Sequence, residues 1–140
     1  MKVYTPDDVF NCARRGDIDN LRLVLDYGNN SINWYRDQNG WTALHAAATQ
    51  GHTACIGVLL DRGADIESKT HQGATALHIA AQQGHTACIG VLLDRGADIE
   101  SKIDQDFTAL LIAVQQGHTA CIDVLPVSYT HLTLPTIYSV

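Results

Sequence analysis

An internal repeat with a period of 33 residues constrains the fold of this chain more than any other feature. Residues 42–69 read TALHAAATQGHTACIGVLLDRGADIESK, and residues 75–102 repeat this stretch almost unchanged. The two copies differ only at Ala46/Ile79 and Thr49/Gln82. Periods of about 20–50 residues are typical of solenoids, in which each unit is too small to bury its apolar face alone. The sequence therefore predicts a stack of similar units that share one core.

Two weaker copies flank this pair. Residues 108–125 read TALLIAVQQGHTACIDVL, and the skeleton is echoed earlier in residues 12–16 and 21–28. Arg14 and Arg15 belong to this first unit, where they are expected to give the polar cover that a terminal unit needs.

Within one unit the sequence predicts two short helices followed by a turn. Thr42 can cap the first helix through its hydroxyl, and Gly51 ends it. A second apolar helix opens at Thr53 and ends at Gly63, because glycine enters the left-handed region without steric cost. Residues 65–73 carry polar turn residues and no helical period, which favours a protruding hairpin.

Small residues in the first helices predict how the units stack. Ala47, Ala48, Ala80 and Ala81 would let these helices approach one another closely. The stack would then curve toward the hairpins and leave a concave face on that side.

The pattern G-x-T-A-L-H-x-A-A-x-x-G-H, followed by an apolar helix and L-L-x-x-G-A-D, resembles the ankyrin repeat. The resemblance is strong over 37–125 and weaker over 5–36. It implies an all-α ankyrin-repeat solenoid of stacked helix-turn-helix units with protruding β-hairpin loops. The last unit departs from the pattern at Asp106, Leu111 and Val114, so its packing is expected to be looser.

The register of the repeat predicts the domain organisation. An ankyrin-repeat domain over residues 1–125 would contain a degenerate capping repeat, two full repeats and a truncated repeat. In chain order these are residues 5–36, 37–69, 70–102 and 103–125.

The period breaks after Leu125, where Pro126 stands in place of the expected leucine. Residues 127–136 read VSYTHLTLPT, which is similar to one translated reading frame of a transposase sequencing adapter. Residues 126–140 are therefore expected to be a non-native tail, and the natural chain to continue beyond Leu125.

Charge and hydropathy narrow the class of partner. The net charge is −6 and no cluster of Lys or Arg occurs, whereas a nucleic-acid binder needs a basic face to displace counterions. The apolar runs are too short to span a bilayer, and no signal peptide is evident. We expect a monomer in the cytoplasm or nucleus, bound to neither nucleic acid nor membrane.

The cysteines are interpreted as core residues. Cys55, Cys88 and Cys121 recur at one period on the apolar face of the second helix. Packed helix axes lie about 8–10 Å apart, whereas the Cα atoms of a disulfide lie within about 7 Å. These thiols are therefore expected to pack in the core and to form no disulfide with one another.

The histidines are not expected to bind a metal. Zinc needs three or four ligands about 2 Å from one point, and neither C-x-x-C nor H-x-x-x-H is present. The resemblance implies that they bond turns and neighbouring loops instead; they are His45, His78, His52, His85 and His118. No phosphate loop, nucleophile elbow or nucleophile with a base is present. We therefore predict no catalytic residues, no cofactor and no enzyme activity.

The resemblance places partner contacts at the hairpin tips and on the exposed side of the first helices. The tip positions are Gln38, Asn39, Trp41, His71, Gln72, Ala74, Asp104, Gln105 and Phe107. The helix positions are Thr49, Gln50, Gln82, Gln83, Gln115 and Gln116. Exposed rings such as Trp41 and Phe107 often anchor interfaces, although each could instead pack on an adjacent tip.

The leading interpretation is a module that binds another protein. One alternative is the repeat region of a larger enzyme or channel whose functional domain lies beyond Leu125, since repeats are grafted onto many architectures. A second alternative is a structural spacer, with the glutamines as a solvated face.

Overall fold

The computed structural model describes residues 5, 7–27, 31–34, 36–103 and 108–120. Eight helices lie within these ranges. They are α1 (Asp8–Arg15), α2 (Ile18–Asp26), α3 (Ser31–Trp34), α4 (Ala43–Gln50), α5 (Thr53–Asp61), α6 (Ala76–Gln83), α7 (Thr86–Asp94) and α8 (Ala109–Gln116).

The helices form two layers. The first helices of successive units, α1, α4, α6 and α8, contact one another in a single row. The second helices α2, α5 and α7 form a parallel row, and each packs on the first helix of its own unit. This arrangement confirms the all-α repeat solenoid that the sequence predicts.

The core lies between the two rows and runs continuously from unit to unit. Leu44, Ile56 and Leu59 are fully buried in the second unit. Ala47 and Ala48 are also fully buried, and α4 lies against both α1 and α6. The small alanine side chains therefore allow close contact between the first helices, as predicted.

The first helices of the two central units start with the same cap. The Thr42 N–H donates to Nδ1 of His45 at 2.9 Å, so this ring nitrogen carries no proton. Nε2 of His45 is then the protonated nitrogen, and it lies 2.9 Å from the Ser68 carbonyl oxygen, to which it donates. The equivalent bond from His78 to Ser101 measures 2.7 Å. The histidine thus ties the helix start to the loop that leads into the next unit, which confirms the role implied by the resemblance.

A second set of histidines joins neighbouring units. Nε2 of His85 donates to the Thr49 carbonyl oxygen in the preceding unit at 3.0 Å, and His118 does the same to Gln82 at 3.0 Å. These bonds satisfy carbonyl groups in the last turns of α4 and α6, which have no partner within their own helices.

The loops between units are hairpin-shaped turns, and no strand occurs in the described ranges. The Asp37 N–H donates to the Trp41 carbonyl at 3.0 Å, and the Gly40 N–H donates back to the Asp37 carbonyl at 3.0 Å. One backbone bond from His71 to Asn39 links this loop to the next. These hydrogen bonds are too few to form a β-ladder. The expected β-hairpins are therefore present as tight turns, joined to each other by one backbone hydrogen bond.

No helix within the described residues is long and apolar enough to cross a bilayer.

Candidate partner-binding surface

A groove opens on the side where the loop tips meet the row of first helices. Its volume is about 280 Å³. Helices α1 and α4 and the loop that precedes α4 supply its walls. The lining residues are Phe10, Arg14, Asp37, Asn39, Trp41, Ala46, Thr49 and Gln50.

Four of the fifteen residues predicted to contact a partner lie in this groove, namely Asn39, Trp41, Thr49 and Gln50. The other four lining residues were not predicted. Phe10 and Arg14 share a face of α1 because they are four positions apart. They are brought to the groove by packing of α1 on α4, which local sequence patterns do not encode.

The loop wall is held in one conformation by its own hydrogen bonds. Oδ1 of Asp37 accepts the N–H groups of Asn39 and Trp41, both at 2.9 Å. Gly40 has φ +78°, a value that favours glycine. The Asp37 carboxylate therefore shapes the wall and has part of its charge compensated.

The neighbouring loop is built alike, with a threonine in place of the aspartate. Oγ1 of Thr70 accepts the N–H groups of Gln72 at 3.3 Å and Ala74 at 3.2 Å. Arg36 ties the two loops together, since its Nη1 donates to the Gly40 and Lys69 carbonyl oxygens, both at 2.9 Å. The tips therefore stand in register along the stack.

The tip residues differ in how much surface they offer. Gln38, Asn39, His71 and Gln72 are the more open positions, whereas Ala74 is half-buried and packs on the core. Ala74 therefore offers little side-chain surface to a partner.

Trp41 is half-buried, and its ring centroid lies 6.2 Å from that of His45. One part of the indole thus packs within its own unit while another part lines the groove.

The predicted helix positions form a row along the first helices. Five glutamines in this row are exposed, namely Gln50, Gln82, Gln83, Gln115 and Gln116, and Thr49 is half-buried. Each lies in the last turn of its helix, close to the glycine that ends it. The row is uncharged, and its amides can both donate and accept hydrogen bonds.

Three predicted contact residues, Asp104, Gln105 and Phe107, lie outside the described residues, as does Cys121. The same holds for residues 126–140, which were interpreted as a non-native tail.

The described cysteines are core residues. Cys12, Cys55 and Cys88 are buried free thiols. Burial raises the pKa of Cys55 and of Cys88, so both favour the unreactive protonated form. Their packing role is confirmed.

Metal-ligating side chains do not cluster in the described ranges. No group of three His, Cys, Asp or Glu residues there could hold a metal ion. Burial lowers the pKa of His45 to about 4, and its two ring nitrogens are occupied by the contacts to Thr42 and Ser68. This histidine is a structural group within the fold.

Comparison with known families identifies the repeat. The family model described as ankyrin repeats (3 copies) matches residues 9–70 and 67–131. The chain belongs to the ankyrin-repeat family. Ankyrin repeats are typically non-catalytic protein-interaction modules, and the chain has this generic interaction role.

Three curated relatives share parts of this sequence. The chain is 39% identical over 61 residues to Serine/threonine-protein kinase 12 of Arabidopsis thaliana, covering 44% of the chain and 13% of that protein. It is 40% identical over 68 residues to human Ankyrin repeat domain-containing protein 29, covering 47% and 22%. It is 38% identical over 60 residues to human Scaffold protein ILK, covering 43% and 13%. The matched region thus spans less than a quarter of the length of each of these relatives.

Proposed function

We propose that this chain binds a partner protein through its loop tips and the face of its first helices. The observation that supports this best is the groove, in which one loop tip meets two first helices. The predicted contact residues that line it are Asn39, Trp41, Thr49 and Gln50. A groove with an aromatic wall and a few polar groups is typical of recognition sites.

The surface along the first helices fits the same function. Its exposed glutamines carry no charge, whereas acidic residues such as Asp61 and Asp94 lie at the ends of the second helices. Interface cores are generally depleted of charge. A partner can therefore cover the glutamine row without burying an unpaired charge there.

A matched pair of arginine substitutions tests the surface. Gln83 is exposed on α6, a first helix, and Ala87 is exposed on α7, a second helix of the same unit. Gln83→Arg should reduce the recovery of bound proteins from lysate, quantified by mass spectrometry, because it places an unpaired charge in the interface. Ala87→Arg adds the same charge on the other layer and should not. Equal recovery with both variants would contradict the assignment of the surface.

A second function is favoured by the names of two relatives. One is the Arabidopsis kinase. The other is NAD-capped RNA hydrolase NUDT12 of Macaca fascicularis, to which the chain is 39% identical over 66 residues, covering 45% of the chain and 14% of that protein. The chain would then be the repeat region of a larger enzyme, with its ankyrin domain in residues 1–125 and a non-native segment in residues 126–140. A long genomic read through the codon for Leu125 tests this: a frame that continues into a further domain supports it, and an encoded Pro126 followed by the present tail and a stop contradicts it.

A further inference from the structure

The two central copies differ at only two positions of a 28-residue stretch, and both positions lie in the groove. Ala46 and Thr49 line it, whereas the third unit has Ile79 and Gln82 at the corresponding places. Ala46 and Thr49 are the smaller residue of each pair. The sequence difference between the copies thus coincides with the space that opens between α1, α4 and the loop 37–41.

The size of the groove indicates what it can hold. Small-molecule sites usually measure about 300–1,000 Å³, and this groove measures about 280 Å³. It has aromatic walls at Phe10 and Trp41 and a methyl group at Ala46. These dimensions and this lining fit a single apolar side chain better than a cofactor.

The charge at the groove is carried by Arg14 and Asp37. Arg14 is exposed, and its guanidinium makes no ion pair with any residue in the described ranges. Asp37 is half-buried and directs Oδ1 to the two backbone N–H groups of its own loop. Arg14 therefore offers a ligand an unpaired cation, which a carboxylate would complement.

The row of first helices favours an extended ligand. Arg14, Thr49, Gln82 and Gln115 occupy equivalent positions, two residues before the glycine that ends each helix. Packed helices lie about 8–10 Å apart, and an extended chain advances about 3.3 Å per residue. A peptide laid along this row would pass one such position about every three residues, and the glutamine amides could bond its backbone.

We propose that the groove is a pocket for one apolar side chain of an extended peptide from a partner protein, with a neighbouring Asp or Glu of that peptide paired to Arg14. The proposal rests on the proposed function and names the chemistry of the partner. Ala46 and Thr49 make the pocket specific to the second unit, since the isoleucine and glutamine of the third unit would occupy the space.

The probe is a phage-displayed library of random peptides of about nine residues, long enough to cross three units, selected on the 140-residue chain. Enriched peptides should share an apolar residue close to an Asp or Glu. Their dissociation constants are then measured by fluorescence anisotropy with synthetic copies.

Three variants locate the binding. Ala46→Ile and Thr49→Gln each install a residue that the same scaffold carries one unit later, and each should weaken binding about tenfold or more by filling the pocket. Arg14→Gln should weaken binding of the acidic peptides and flatten its dependence on salt. Ala87→Gln adds a glutamine at an exposed position of α7, in the layer of second helices, and serves as the control, with affinity expected near wild type. Thermal unfolding of each variant shows whether it remains folded.

The outcomes separate this proposal from the proposed function. Peptides that bind Ala46→Ile and Thr49→Gln as tightly as wild type but lose affinity with Gln83→Arg would overturn the pocket and leave the interaction surface standing. Peptides unaffected by all of these changes would contradict both. Enriched sequences that match a segment of this chain would point to a second copy as the occupant and overturn the assignment to a partner protein. A selection that enriches no peptide would also overturn the pocket.

Discussion

The imidazole of His85 lies so close to Gly51 that a Cβ atom on Gly51 would stand 2.8 Å from Nδ1 of that ring. Gly51 also has φ +75°. The same contact recurs between His52 and Gly16 and between His118 and Gly84. Each glycine thus ends one first helix and at the same time makes room for the histidine of the following unit.

This contact predicts opposite signs for two glycine substitutions in one unit. Gly51→Ala should lower the free energy of unfolding by at least about 1–2 kcal/mol, the cost of a positive φ for alanine, with the clash against His85 in addition. Gly57 lies inside α5, and a Cβ added there would have no neighbouring atom within 4 Å, so Gly57→Ala should raise stability by about 0.5–1 kcal/mol. Urea unfolding followed by circular dichroism measures both. A stabilising Gly51→Ala would contradict the close contact between Gly51 and His85. A destabilising Gly57→Ala would contradict the open surroundings of Gly57.

The buried His45 predicts loss of stability in mild acid. Burial lowers its pKa from 6.5 to about 4, so the unfolded chain binds the proton more readily than the folded chain does. The neutral His45 makes its full contribution to the free energy of unfolding above pH 6.5. As the pH falls from 6.5 toward about 4, the free energy of unfolding decreases by up to about 3 kcal/mol. Urea unfolding at a series of pH values measures the slope.

His45→Leu places in the second unit the residue that stands at Leu111 in the fourth. The variant should be less stable at pH 7, because the Thr42 N–H and the Ser68 carbonyl lose a partner. It should also lose less stability on acidification than wild type. An unchanged pH slope in His45→Leu would show that this histidine does not govern the acid sensitivity.

The buried thiols predict slow modification in the folded protein. Cys55 and Cys88 are buried and have raised pKa values, and the thiolate is the reactive form. Iodoacetamide labelling localised by peptide mass spectrometry should be slow at both sites and become fast in urea. Rapid labelling of Cys88 under native conditions would mean that α7 opens readily.

The fourth unit is predicted to exchange its amides faster than the third. At α8 the Thr108 hydroxyl accepts the Leu111 N–H at 3.3 Å. In α6 the ring of His78 also accepts the Thr75 N–H, whereas the side chain of Leu111 cannot accept the Thr108 N–H. Hydrogen exchange of Ile112 and Ala113 should therefore exceed that of Ile79 and Ala80. Equal protection would contradict the looser packing expected of the last unit.

The fold follows from the sequence because its determinants are local and repeated. Thr42, Gly51 and the paired alanines mark the helix ends and the close contacts once in every 33 residues. The ends of α4 and the start of α5 accordingly lie within a residue of the predicted ones.

The groove could be predicted only in part. Asn39 and Thr49 were found through the family resemblance, whereas Phe10 and Arg14 lie in a weaker repeat that was interpreted as a polar cap. Their place in the groove depends on how α1 sits against α4 and the loop 37–41, a relationship between units that a pattern within one unit does not contain. The sequence shows that the two central copies differ at Ala46 and at Thr49. It does not show that both residues line one groove.

Photo-crosslinking from single positions tests most directly whether the groove face is the interaction surface. A benzophenone side chain would be incorporated at Gln50, an exposed residue of α4 that lines the groove, or at Ala54, which is exposed on α5 of the same unit. After irradiation in lysate, the account predicts a discrete adduct with another protein from position 50 and none from position 54. Adducts from position 54 alone would contradict the account and move the interaction surface to the second helices.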